Sequence, residues 1–75
     1  MPKDVVLYIV KALVAKPESV FVAEKKEDSK IILEIHVDEG DLGKVIGKSG
    51  NTIRAIRSIA SLMVPDRNLF VDVAK

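Results

Sequence analysis

Two glycines, Gly47 and Gly50, enclose a lysine and a serine, with apolar residues at helical spacing on both sides. Few backbones accept that arrangement. A glycine directly after the run Leu42, Val45, Ile46 can end a helix in the left-handed conformation that other residues avoid. A second glycine at the entrance of the next helix leaves the first N–H groups of that helix uncovered by a β-carbon. The segment is thereby committed to a short helix, a sharp bend and a longer helix starting near Asn51. Ile53, Ile56, Ala60 and Met63 form the apolar face of this longer helix, and Pro65 ends it.

The flanking segments supply what such a pair of helices must pack against. Asp4 is placed to cap a first helix in which Val6, Ile9, Val10, Leu13 and Val14 repeat at the 3.6-residue period, and Pro17 stops it. From Val20 to Lys25 the period changes to two, with Val20 and Val22 on one side and Phe21 and Ala23 on the other. Glu27-Asp28-Ser29-Lys30 reads as a hairpin turn. A second strand follows, with Ile31, Leu33, Ile35 and Val37 facing one way and Ile32, Glu34 and His36 the other. Asp66-Arg67-Asn68 turn the chain into a last strand, where Leu69, Val71 and Val73 alternate with Phe70 and Asp72. The first two strands must be antiparallel, whereas the helical connection to the third is long enough for a parallel crossover. The expectation is an α+β fold of order α-β-β-α-α-β, a three-stranded mixed sheet with three helices on one face. All 75 residues belong to a single domain over 1–75.

Charge points to an anionic partner. The net charge is only +1, but between Gly43 and Val64 lie Lys44, Lys48, Arg54 and Arg57 with no acidic residue among them. No cysteine is present, which removes disulfides and thiolate zinc sites and fits a reducing, cytoplasmic setting. The longest apolar run, Val5 to Val10, is far short of the ~20 residues that span a bilayer, and the start of the chain does not read as a secretion signal. Neither a membrane nor a small-molecule substrate is expected as a partner.

The bend has a chemistry of its own. Helix N-terminal N–H groups and the helix dipole favour an anion, and Gly50 lets a phosphate come close. Lys48 adds a full charge at the tip and Ser49 a hydroxyl. Bases of a bound strand would then lie over Val45, Ile46 and Ile53.

Val45-Ile46-Gly47-Lys48-Ser49-Gly50-Asn51-Thr52-Ile53 resembles the signature of the KH family: two aliphatics, G-x-x-G, two residues and an aliphatic. The element order looks like the prokaryotic, type II arrangement. Together with Tyr8-Ile9-Val10-Lys11-Ala12-Leu13-Val14, the segment from Val45 to Ile59 is similar to the small stand-alone bacterial KH-domain protein A family, across essentially the whole chain. The resemblance implies a non-enzymatic cytoplasmic protein without cofactors that binds single-stranded RNA, or single-stranded DNA, and serves as an RNA chaperone or post-transcriptional regulator. It also implies a homodimer, or a heterodimer with a larger KH protein of the Jag type, in pathways affecting cell shape and wall synthesis. On this footing the RNA-binding residues are Lys44, Val45, Ile46, Gly47, Lys48, Ser49, Gly50, Asn51, Thr52, Ile53, Arg54 and Arg57. Up to four cations imply a salt slope of roughly −1.5 to −3.

Several residues carry two readings. Arg57 either touches RNA or lays its stem across the edge of the core. Ala55, Ile59 and Leu62 form a stripe beside the buried arc of the last helix, covered either by a wide core or by another subunit. Asp38, Glu39 and Asp41 read as a solvated helix start. His36 has no second ligand for a metal and no nucleophile to serve. An NTPase is excluded because a P-loop needs a glycine five positions before Gly47, where Leu42 stands. The remaining rival is a protein-interaction or dimerisation module with an idle loop.

Overall fold

The computed structural model describes residues 2–64 and 68–74. The expected helix end at Pro65, and Asp66 and Arg67 of the expected turn Asp66-Arg67-Asn68, lie outside the described residues. Three helices, α1 (Pro2–Leu13), α2 (Leu42–Ile46) and α3 (Asn51–Ser61), accompany three strands, β1 (Phe21–Glu27), β2 (Lys30–His36) and β3 (Leu69–Val73). The order is α-β-β-α-α-β. β1 pairs antiparallel with β2, and β2 pairs parallel with β3, giving the mixed sheet β1-β2-β3. This is the architecture of a type II KH fold.

α1 begins at Pro2 rather than after Asp4, three residues earlier than expected. Proline suits the first turn because its missing N–H would find no helical partner there. Asp4 therefore sits inside the first turn, and with Lys11 in the last turn it complements the helix dipole. Val6 and Val10, one turn apart, are fully buried, whereas Leu13 at the fraying end is 41% exposed rather than part of the core.

The hairpin closes through Asp28 and Ser29 between the paired Glu27 and Lys30, and Asp28 takes the positive φ of 54° that the tight turn demands. Alternation then sorts the sheet. Val22, Leu33, Ile35, Leu69, Val71 and Val73 are buried beneath the helices, where they meet Val6, Val10, Val45, Ile56 and Ala60. Phe21, Ile32, Glu34, His36 and Phe70 share the opposite face. There Phe21 stacks on His36 with ring centroids 4.2 Å apart, His36 Nε2 lies 2.8 Å from Glu34 Oε1, and Lys30 Nζ stands 5.6 Å above the Phe70 ring.

The end of α3 departs from the expected arc. Leu62, Met63 and Val64 donate to Ile59, Ala60 and Ser61, three residues back. This tightening to three residues per turn rotates Met63 off the buried face, leaving it 43% exposed, while Val64 packs on the core instead. The core does not reach the neighbouring stripe either. Ala55 is exposed, Ile59 is 46% exposed and Leu62 is 87% exposed.

Candidate nucleic-acid interface

α2 is a helix of five residues, too short to hold its place by its own hydrogen bonds. Val45 secures it from below by burying its side chain completely in the core. That corrects the expectation that Val45 meets a base, since a side chain shut inside the protein has no surface to offer. Ile46 and Ile53 remain half-buried and line the surface next to the bend.

The bend spans Lys48–Gly50, a single 3₁₀ turn, with Gly47 before it. Gly47 has φ 77° and ψ 172°, a positive-φ extended form rather than the left-handed helical one expected from the sequence, and its N–H bonds the Gly43 carbonyl at 2.9 Å. A β-carbon there would collide with the Thr52 hydroxyl oxygen and lie 2.7 Å from Thr52 Cβ and 2.8 Å from the Thr52 backbone nitrogen. Gly50 has φ 78° and ψ 14° and is different in kind. Its added β-carbon would meet only Arg54 Nη1, at 3.5 Å. The first glycine is thus fixed by packing, and the second leaves room.

Ser49 also adopts a left-handed conformation, φ 55° and ψ 24°, at a cost of about 1 kcal/mol for a residue with a β-carbon. Gly50 occupies the cap position of α3, and no side chain caps the amides of that helix. The N–H groups of Gly50 and Asn51 close the turn on the Gly47 and Lys48 carbonyls, so what stands beside the open glycine is the positive end of the α3 dipole, which favours a phosphate. Lys48 is exposed at the tip and, among the described residues, its ammonium enters no hydrogen bond or ion pair. Arg54 Nη2 donates to the side-chain oxygen of Asn51, which holds the guanidinium beside Gly50. Thr52 sits partly buried beneath Gly47.

The other two cations of the acid-free window are engaged elsewhere. Arg57 donates through Nε at 3.3 Å and Nη2 at 3.0 Å to the Val71 carbonyl. β3 turns the groups of Asn68 and Ala74 toward β2, so the Val71 carbonyl belongs to the outer edge of the sheet, and Arg57 covers it. Of the two readings of Arg57, the edge of the fold holds it. Beside it, Asp72 Oδ1 accepts from the Val73 N–H at 2.8 Å.

Lys44 Nζ lies 3.4 Å from Asp41 Oδ1. The sequence window free of acids is therefore not free of them in space. Asp41 was expected in solvent, yet it is 2% exposed. Its carboxylate accepts from the N–H of Ala15 at 3.1 Å and of Lys16 at 3.0 Å, tying the connection after α1 to the start of α2. The Ala15 N–H, followed by the Lys16 N–H and Lys44, holds the Asp41 carboxyl below its ordinary pKa against the opposing effect of burial. Asp38 does behave as a local cap, accepting from the Gly40 N–H at 3.0 Å. Nothing in one sequence separates these two aspartates. Both stand at a helix start, and only the fold brings Ala15 and Lys16 to one of them.

Comparison with known proteins gives a consistent set of matches. The model of the KhpA/KhpB KH-domain family matches residues 3–73. The RNA-binding protein KhpA of Chlamydia trachomatis serovar D is 51% identical over 57 residues, 76% of this chain and 73% of that protein. The RNA-binding protein KhpA of Clostridium perfringens is 41% identical over 95% of this chain and 97% of its own length. That of Bacillus subtilis is 43% identical over 75% of this chain and 69% of its length. No solved structure matches significantly.

Proposed function

The chain belongs to the KhpA/KhpB family of KH domains, and on that premise we propose that it binds single-stranded RNA, the 47–50 loop clamping about four nucleotides. One observation carries the reading. The uncapped N-terminus of α3 stands beside an open glycine and beside Lys48, a cation that no group of the described protein holds. A phosphate seated there meets the positive end of the α3 dipole and the Lys48 ammonium, with Arg54 as a second cation. Ser49 and Asn51 offer polar groups to the ribose, and bases lie over Ile46 and Ile53. Single-stranded DNA presents the same phosphates and differs by the missing 2′-hydroxyl. The relatives that carry the name RNA-binding protein KhpA support this reading.

One loop and a few cations give weak binding, on the order of micromolar. The exposed stripe Ala55, Ile59 and Leu62 supports a second component, pairing through α3 with another copy or with a larger Jag-type KH protein. Two loops held together raise affinity through effective concentration. In the cell this reading makes the protein a cytoplasmic RNA chaperone or post-transcriptional regulator acting on cell shape and wall homeostasis, with no reaction of its own.

The test replaces Lys48 and Ser49 together by Asp. Both side chains are exposed, and Asp tolerates the left-handed backbone at position 49, so the fold is retained. Oligoribonucleotide binding should vanish while the melting temperature stays within ~4 °C of wild type, as for surface substitutions. Undiminished binding by the folded double variant rejects the site.

A further inference from the structure

Asp41 occupies the residue before α2, where an aspartate ordinarily caps its own helix, yet its side chain makes no such bond. It turns instead to the amides of Ala15 and Lys16 and to the ammonium of Lys44. Resting on the reading above, we infer that Asp41 is a positioning residue that keeps Lys44 off the RNA, so that the loop meets phosphate with Lys48 and Arg54 as its cations.

The cations differ in what each would leave behind on moving to a phosphate. The Asp41 side chain is 4% exposed and stays where the two amides fix it, whereas the Lys44 side chain is 52% exposed and mobile in principle. Were Lys44 to swing onto a phosphate, it would abandon a carboxylate in a site with little access to water, and that carboxylate would repel the arriving strand. The low pKa of Asp41 keeps the charge in place across the neutral range. Arg54 faces no such loss, because its partner is the neutral amide oxygen of Asn51, and the Lys48 ammonium has no partner to abandon among the described residues. Asp41 and Lys44 thus cancel each other at the base of α2, and the charge that an RNA meets is gathered at the tip.

The test reads the salt dependence of binding, which a loss of stability alone does not move. Binding of a short fluorescein-labelled oligouridylate is followed by anisotropy between ~50 and ~200 mM salt. With two phosphate-engaging cations, the slope of log affinity against log salt is about −1.4. Lys48→Met should bring it to about −0.7, and Lys44→Met should leave it at the wild-type value. Asp41→Asn should release Lys44, steepen the slope by ~0.7 and tighten binding roughly fivefold at ~0.1 M salt. Adding Lys44→Met to Asp41→Asn should cancel that gain. Glu27→Gln makes the same change in net charge on the helix-free side of the sheet and should alter nothing.

A Lys44→Met slope reduced as far as that of Lys48→Met overturns the inference, as does an Asp41→Asn slope that does not move. Should Asp41→Asn fail to fold, Lys44→Met decides the matter, since it removes only a half-exposed ammonium. A wild-type protein that ignores the oligouridylate in low salt defeats the RNA reading itself, and this inference with it.

Discussion

The two glycines of the bend should respond very differently to the same substitution. At Gly50, alanine meets an unfavourable φ of 78° but no close atom other than the Arg54 guanidinium at 3.5 Å, which is free to shift. The cost is the left-handed backbone alone, about 1 kcal/mol, or a melting temperature lowered by roughly 4–8 °C for a domain of this size. At Gly47, alanine meets both a positive φ and three atoms of Thr52, one of them a backbone nitrogen 2.8 Å away. Relieving that overlap moves the start of α3 against a packed core. Overpacking adds ~1–3 kcal/mol to the backbone cost, and the sum, about 3 kcal/mol, lowers the melting temperature by roughly 12–24 °C. Against a total stability of ~4–11 kcal/mol for a chain of this length, Gly47→Ala is close to unfolding and Gly50→Ala is not. Thermal and urea melts by circular dichroism measure both. Thr52→Gly in the Gly47→Ala background removes the side-chain clash and should recover about half the loss. Equal destabilisation at the two positions, or a Gly47→Ala melt within a few degrees of wild type, refutes the steric argument.

Arg57→Met keeps the apolar stem but removes the donors to Val71, and should cost about 1.5 kcal/mol in urea melts while leaving RNA affinity within ~2-fold, as expected of a charged hydrogen bond outside the loop. If α3 is a subunit interface, Leu62→Glu should convert a dimer to a monomer in light scattering, whereas a wild-type monomer at high micromolar concentration removes that idea. Asp41 gives a pH signature. Its carboxyl is held below 3.8 in the folded state, so it contributes stability above its unfolded pKa that is lost as pH falls through the lower folded value. The gap in melting temperature between wild type and Asp41→Asn should therefore shrink as pH drops below 3.8, and a gap that stays constant into strong acid contradicts the role of the carboxylate.

Most of the fold was legible because its signals are periodic. The alternation of Ile31, Leu33 and Ile35 and of Leu69, Val71 and Val73 chose the buried side of the sheet, and the spacing of Ile56 and Ala60 chose the buried side of α3. Periodicity failed where the period changed, so Met63 was assigned to an arc that the tightened end of α3 no longer follows. The glycine pair located the bend, but residue type alone did not distinguish a glycine held by Thr52 from one left open. The left-handed Ser49 carried no signal at all, being a residue that rarely takes that form. Charge was the least reliable guide. Lys44 and Arg57 counted in the sequence toward an RNA-facing patch, yet their partners, Asp41 and the Val71 carbonyl, become neighbours only when the chain folds.

The covering of β3 by Arg57 and Asp72 sets a limit on how copies of this protein can join through their sheets. Open-ended stacking of strands needs two receptive borders on each molecule, a head for the tail of the next. Here one border has an acceptor and a donor already taken by side chains of the same chain. The other, Phe21–Glu27, is lined with Glu24, Lys25, Lys26 and Glu27. A strand-to-strand union through that border of both partners closes at two. Fibre growth by sheet extension would first have to displace Arg57 and Asp72 from β3.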